Sequence, residues 1–210
     1  MIIKRIKCGA WEENCYIISQ DNVAIIIDPG DNVDKIIQYV QDKYLTVKAI
    51  LNTHAHFDHI CGINDIIDKF PECVVYCAEY ANEGLLSDKL NLSFYHLEPL
   101  VFKGGCVTLL VDGMSIELFA NYYLKVLETV GHNKGSLSFI FPGGIFTGDA
   151  LIPGVKIVTK LKSGNKEDAI ESVLKIRKAL HPNHIIYPGH GPVCRKSEVD
   201  WCLYGDRNQY

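Results

Sequence analysis

Apolar residues recur along this chain with two alternating periods. Residues 15–19 and 23–27 are strand-length runs rich in isoleucine, and Gln20-Asp21-Asn22 between them predicts a hairpin. The second run stops at the turn Asp28-Pro29-Gly30. Over residues 31–44, Val33, Ile36, Ile37 and Val40 fall at helical spacing, with Asp31 or Asn32 available as N-cap. Residues 47–51 form the next strand. Ile63, Ile66, Ile67 and Phe70 then resume the helical period up to Pro71, and residues 73–77 are strand-like again. A helix over residues 80–90 and a strand over 101–110, broken by Gly104-Gly105, follow. Past the Asp112-Gly113 turn come strands over 115–119 and 124–129, then a hairpin of 137–141 with 144–147 around Pro142-Gly143. Asn165 caps a helix running to Leu180, with Ile170, Val173 and Leu174 on its apolar face, and residues 184–187 form the last strand. Glu167 and Asp168 at that helix's start and Lys175, Arg177 and Lys178 towards its end suit the helix dipole. Strands alternating with helices predict an α/β fold.

Composition narrows the class of protein. The chain has 210 residues, 48% hydrophobic and 22% charged, enough to bury a full core, and a single domain over residues 1–210 is expected. A net charge of −4 provides no global positive field for nucleic acid or an anionic membrane surface. The N-terminus carries Lys4, Arg5 and Lys7 without the apolar stretch of a secretory signal, and no run approaches the roughly 20 residues of a membrane span. A cytoplasmic location is the expectation. The eight cysteines contain no Cys-x-x-Cys pair, and reduced thiols are expected.

The chemistry concentrates in Thr53-His54-Ala55-His56-Phe57-Asp58-His59, directly after the strand over 47–51. Three imidazoles and a carboxylate within six residues gain nothing as core or as a solvated face, but they suit a metal site. A segment of this length can offer two ligands to each of two adjacent metals, and the remaining ligands must come from elsewhere. His132, Asp149 and His190 each follow a strand end, where α/β sheets collect their sites. Gly131, Gly148, Gly189 and Gly191 beside them allow tight turns. Asp28 is read first as a turn initiator and second as a carboxylate orienting a histidine. His96 is left out of the site. His181 and His184 are read as non-ligands, with His181 placed to interact with the last helical carbonyls.

This ordered set resembles the metallo-β-lactamase superfamily. The early Asp is Asp28, and His-x-His-x-Asp-His is His54, His56, Asp58 and His59. The Gly-His-x-x-Gly-Ser histidine is His132, the Thr-Gly-Asp aspartate is Asp149 and the late Gly-His-Gly histidine is His190. The resemblance implies a four-layer αββα sandwich with two Zn2+ ions, iron or manganese being the alternatives. It places His54, His56 and His132 on one metal, Asp58, His59 and His190 on the other, and Asp149 between them. The Asp-Pro-Gly, Thr-Gly-Asp-Ala and Pro-Gly-His-Gly-Pro contexts are similar to the glyoxalase II (hydroxyacylglutathione hydrolase) branch. Hydrolysis of an anionic thioester follows as the expected activity, with Asp58 orienting the attacking water. Ile157-Val158-Thr159-Lys160 departs from the branch's usual Gly-Arg/Lys segment, and only some twenty residues follow His190, so glutathione recognition is not expected to carry over. Lys134, Lys156, Lys160 and Lys162 are candidates for holding an anionic group.

The competing classes are a lactonase or other hydrolase on the same site, a mononuclear iron persulfide dioxygenase, and a non-catalytic metal-binding protein. A purely structural zinc site is closed with four ligands. A seven-ligand set therefore argues for catalysis. The acidic balance argues against RNA processing.

Overall fold

Strands that are apolar on both faces have to be covered on both faces. Residues 13–20 and 23–27 form two of them. The computed structural model describes residues 1–96 and 98–205; the single-domain expectation also takes in Leu97 and residues 206–210, which lie outside the described residues. The chain opens with β1 (Ile2–Cys8), β2 (Glu13–Gln20), β3 (Val23–Ile27), α1 (Val33–Asp42) and β4 (Thr46–Leu51). Next come α2 (Phe57–Ile60), α3 (Ile63–Lys69), β5 (Val74–Cys77), α4 (Glu79–Leu85), α5 (Ser93–His96) and β6 (Cys106–Leu109). The second half holds β7 (Ser115–Phe119), β8 (Tyr122–Glu128), β9 (Leu137–Phe141), β10 (Gly144–Gly148), α6 (Lys166–Ala179), β11 (Ile185–Pro188) and β12 (Cys194–Arg195).

Along β2 and β3, Cys15, Ile17, Ala24 and Ile26 turn to one side of the sheet, and Tyr16, Ile18, Ile25 and Ile27 to the other. Lys48 would break the same alternation in β4. The β3–β4 pairing skips it, setting Ala24 opposite Val47 and Ile25 opposite Ala49. This bulge leaves Lys48 exposed and buries Ala49, Ile50 and Leu51.

The first side of that sheet is covered by α1, α3 and α4 through residues such as Ile36, Val40, Ile63, Ile66 and Leu85. The second side meets Leu124, Val126, Leu137, Phe139 and Phe146 of the other sheet. The far face of that other sheet packs Leu127, Ile145 and Ile186 against Val173 and Ile176 of α6. Three apolar layers thus separate four structural ones, which is the αββα sandwich. Among the described residues the strands form two six-stranded sheets, ordered β1-β2-β3-β4-β5-β6 and β12-β11-β10-β9-β8-β7. β3, β4 and β5 run parallel, as do β10 and β11, so the carboxyl ends of consecutive strands open on the same edge.

Several expectations shift. β1 is a strand, although Lys4, Arg5 and Lys7 obscure its pattern; it is the edge of its sheet, and only Ile6 and Cys8 within it are buried. The helix expected over 80–90 closes at Leu85, and β6 starts only at Cys106, past the positive-φ Gly104 and Gly105. Asn165 does cap α6, accepting from Glu167 N at 2.9 Å and Asp168 N at 3.2 Å. Asn32 occupies the N-cap position of α1, yet its side chain donates to Lys7 O at 3.1 Å and makes no cap bond. The buried stripe of α6 is Ala169, Ser172, Val173 and Ile176, which leaves Leu174 42% exposed instead of in the core. No helix among the described residues is long and apolar enough to cross a membrane, and none of the eight cysteines is paired.

This placement separates neighbouring positions of one helix. Ile176→Ala should cost about 2–5 kcal/mol through lost burial and the cavity left behind, whereas Leu174→Ala should stay within about 0.5 kcal/mol. Equilibrium urea unfolding of the two variants checks it, and equal losses would contradict the assigned face.

Candidate metal centre

Because β3 and β4 are parallel neighbours with Ile27 opposite Leu51, the residues that follow each strand meet side by side. Asp28, 1% exposed and held in the left-handed region at φ +50°, receives four hydrogen bonds there. Its Oδ1 accepts from Thr53 N at 2.7 Å and Asn52 Nδ2 at 3.2 Å. Its Oδ2 accepts from Thr53 Oγ1 at 2.6 Å and His59 Nδ1 at 3.0 Å. Orienting His59 is therefore what this carboxylate does, and the preference for a simple turn initiator is corrected. Spacing along the chain could not reveal that the two strand ends are adjacent.

Those bonds assign ring hydrogens. The hydroxyl hydrogen of Thr53 goes to Asp28, so Thr53 Oγ1 accepts from His54 Nδ1 at 3.2 Å and His54 Nε2 carries a bare lone pair. His132 Nδ1 donates to Val158 O at 2.8 Å, which bares His132 Nε2. His59 donates through Nδ1, and its Nε2 is buried without a hydrogen-bond partner, as is Asp149 Oδ1 3.5 Å away.

The structure brings all seven residues singled out in the sequence into one cluster. His54 Nε2 and His132 Nε2 lie 3.1 and 3.0 Å from His56 Nδ1. His190 Nε2 lies 3.2 Å from Asp58 Oδ2, and Asp149 Oδ2 is 3.6 Å from His132 Nε2 and 3.7 Å from His190 Nε2. His54, His56 and His132 form one group able to hold a metal ion and Asp58, His59 and His190 another; His54, His59 and Asp149 connect them. Two glycines permit this closeness. A Cβ at Gly189 would sit 2.4 Å from Asp149 Oδ1, and one at Gly148, where φ is +49°, would sit 2.3 Å from Thr53 Oγ1. The loop carrying His190 is tied to β2 across the sheets: Asn14 Nδ2 donates to Pro188 O at 3.0 Å and Gly191 O at 2.9 Å, and Tyr16 Oη to Pro188 O at 2.7 Å.

The electrostatics fit a cation. Burial and the neighbouring rings push the His54 imidazole well below its usual pKa, and burial with His132 alongside takes His56 to about 3. Burial alone would raise the Asp58 and Asp149 carboxyls, but the surrounding histidines hold both below the usual carboxylate range. Against the effect of its own burial, Asp58 and Asp149 push His59 well above its usual value. The cluster thus combines imidazoles, His54 and His56, that resist taking up a further proton with carboxylates that call for positive charge. Converging lone pairs, an orphaned nitrogen and an orphaned carboxylate oxygen are the donor set that zinc or a similar divalent ion takes.

Residues passed over in the sequence also belong here. Thr53, Asn52 and the Val158 carbonyl orient the inner histidines, and Asn133 Nδ2 faces His56 Nε2 at 3.2 Å. Glu13 is buried 3.9 Å behind His59 Nδ1 with neither oxygen hydrogen-bonded, and burial raises its pKa. His181 and His184 face each other at 5.0 Å between ring centroids, and neither joins a metal-competent group among the described residues. Lys196 Nζ donates to the carbonyl of Leu180, at the end of α6 where His181 was expected to interact.

Asp28 has a measurable share in this arrangement. Asp28→Ala strips the acceptor from four donors and places a residue with a Cβ and no polar group in a left-handed conformation. It should lower the unfolding free energy by about 3–5 kcal/mol; a loss below about 1 kcal/mol in urea unfolding would contradict the role.

A family profile described as "Metallo-beta-lactamase superfamily" matches residues 8–190. Among curated relatives, the probable metallo-hydrolase YqgX of Bacillus subtilis (strain 168) is 31% identical over 209 residues, covering 99% of this chain and 96% of that one. A hydroxyacylglutathione hydrolase of Pelagibacter ubique (strain HTCC1062) is 28% identical, covering 99% of this chain and 77% of the relative. Among solved structures, the crystal structure of the BLEG-1 B3 metallo-beta-lactamase superposes with a TM-score of 0.87 at 30% identity, covering 94% of this chain and 95% of that one. With two sheets packed between helices and a histidine–aspartate cluster at their strand ends, the chain belongs to the metallo-beta-lactamase superfamily.

Proposed function

We propose that this metallo-hydrolase holds two metal ions, zinc in the first place, and hydrolyses thioesters. The observation that carries the reading is the pair of ligand groups meeting at Asp149: His54, His56 and His132 on one side, and Asp58, His59 and His190 on the other. When bound there, metal ions supply Lewis acidity, polarising a carbonyl and lowering the pKa of water to near neutrality. The protein's part is to turn the ligand side chains inward and to aim the nucleophile. Asp58, whose carboxylate faces the cluster 3.2 Å from His190, is the acceptor that orients the attacking water.

The leaving group follows from what the site lacks. Asp58 and Asp149 are both held below the usual carboxylate range, and the inward histidines are committed as ligands. Neither carboxyl is an acid suited to protonating an amine as it departs. A thiolate, with a thiol pKa near 8.5, leaves without that help. The likeness to a hydroxyacylglutathione hydrolase supports the same choice. A second reading, β-lactam hydrolysis, has its support in the superposition on BLEG-1.

Two of the lysines proposed to hold an anionic arm of the substrate lie on the segment that anchors His132. Lys156 and Lys160 line a cavity of about 570 Å³ with Ile157, Thr159, Ile170 and Leu203, and Val158, between the two lysines, is the residue that anchors His132. Lys134 instead lies over the Tyr80 ring, 5.7 Å from its centroid. The protein is expected to act in the cytoplasm on a small molecule, without nucleic acid or membrane partners and with the whole of residues 1–210 as one domain.

Protein purified without added metal should contain close to two equivalents of zinc by elemental analysis. His190→Ala should lose one, and His181→Ala/His184→Ala none. On such protein, kcat/KM for an acyl-glutathione should lie within about tenfold, or roughly 1.4 kcal/mol, of that for the same acyl group on a smaller thiol, and above that for a lactone or a β-lactam. A single equivalent of iron, or turnover confined to the β-lactam, would overturn the assignment.

A further inference from the structure

Each histidine of the His54–His56–His132 group turns one nitrogen inward and one outward. The outward nitrogens of His54 and His132 meet oxygen acceptors, Thr53 Oγ1 and Val158 O. The outward Nε2 of His56 meets the side-chain amide of Asn133, and an amide can present either a hydrogen or a lone pair. Asn133 is buried, at 3% exposure, so its choice is fixed by neighbours and not by water. Its Oδ1 accepts from Gly135 N at 2.7 Å, which leaves Nδ2 facing His56 at 3.2 Å. His56 Nε2 therefore accepts, and the ring hydrogen of His56 sits on the inward Nδ1. That hydrogen has two neighbours, the bare Nε2 atoms of His54 and His132 at 3.1 and 3.0 Å. The arrangement is consistent as a hydrogen-bonded trio, with a hydrogen where three lone pairs would otherwise converge.

We infer that Asn133 is a positioning residue that sets, through His56, how tightly the three-histidine group holds a metal ion, and that it holds this position weaker than a carboxylate would. The inference rests on the metal-centre reading above. For His56 Nδ1 to offer its lone pair, the ring hydrogen must pass to Nε2, and Asn133 must then turn its oxygen towards His56 and give up Gly135 N. An aspartate avoids that exchange: one oxygen keeps Gly135 N while the other accepts from His56 Nε2. A role confined to shaping the loop makes the opposite forecast, because Asn133→Asp preserves the Gly135 bond and leaves the histidine untouched.

Two measurements decide it. Nitrogen-15 spectra of the metal-free wild type should show His56 with its hydrogen on Nδ1, moving to Nε2 as zinc is added, whereas metal-free Asn133→Asp should already carry it on Nε2. Chelator competition should show zinc bound about tenfold or more tighter at this position in Asn133→Asp. Metal-free wild type with the hydrogen already on Nε2, or folded Asn133→Asp with unchanged or weaker affinity, would overturn the inference. If Asn133→Asp does not fold, the wild-type spectra alone decide. The reading beneath it fails differently: wild-type zinc content that His54→Ala leaves unchanged would remove the metal position itself.

Discussion

A buried carboxylate without water has to find its hydrogen bonds within the protein, and Asp28 finds four at the junction of β3 and β4. The consequences run outward from there. One of its oxygens fixes the His59 ring; the same oxygen takes the Thr53 hydroxyl, and Thr53 in turn fixes His54. A single acceptor therefore decides which nitrogens of two imidazoles are free for a metal. The left-handed backbone of Asp28 is a local cost that these bonds offset.

The sandwich makes this junction possible. Parallel β3 and β4 bring Asp28 next to the histidine-rich segment, and parallel β10 and β11 bring Asp149 next to His190. Each pair belongs to a different sheet, so the cluster assembles only if the sheets are held in register with each other. The inter-sheet core around Tyr16, Leu51, Phe139 and Phe146 does this by burial. Asn14 and Tyr16 do it by direction, reaching from β2 to the carbonyls that flank Gly189 and His190. Packing supplies the stability, and a few buried hydrogen bonds supply the alignment.

Much of this was legible in the order of residues. The two-period alternation gave the α/β class, and the seven ligand-type residues at strand ends pointed to the cluster into which the structure draws them. What stayed hidden depends on contacts between distant segments. Asp28 reads as a turn residue because its partners, Asn52, Thr53 and His59, arrive from beyond the end of β4. Asn133 and Val158 act through a side-chain amide and a backbone carbonyl, groups that carry no signature of their own. The edge strand β1 was obscured because an edge needs only half its residues buried and tolerates lysine on the rest. Leu174 lies off the buried face of α6 because small residues, Ala169 and Ser172, face the core beside Val173 and Ile176. A hydrophobicity pattern weights such residues too lightly.

The chemistry assigned to the site depends on one geometric claim, that Asp149 stands between two metal positions. Anomalous diffraction at the zinc edge, from crystals of protein purified without chelator, tests that claim most directly. Two peaks are expected, one among His54, His56 and His132 and one among Asp58, His59 and His190, with Asp149 between them. A single peak, or two peaks of which either lies away from Asp149, would contradict it.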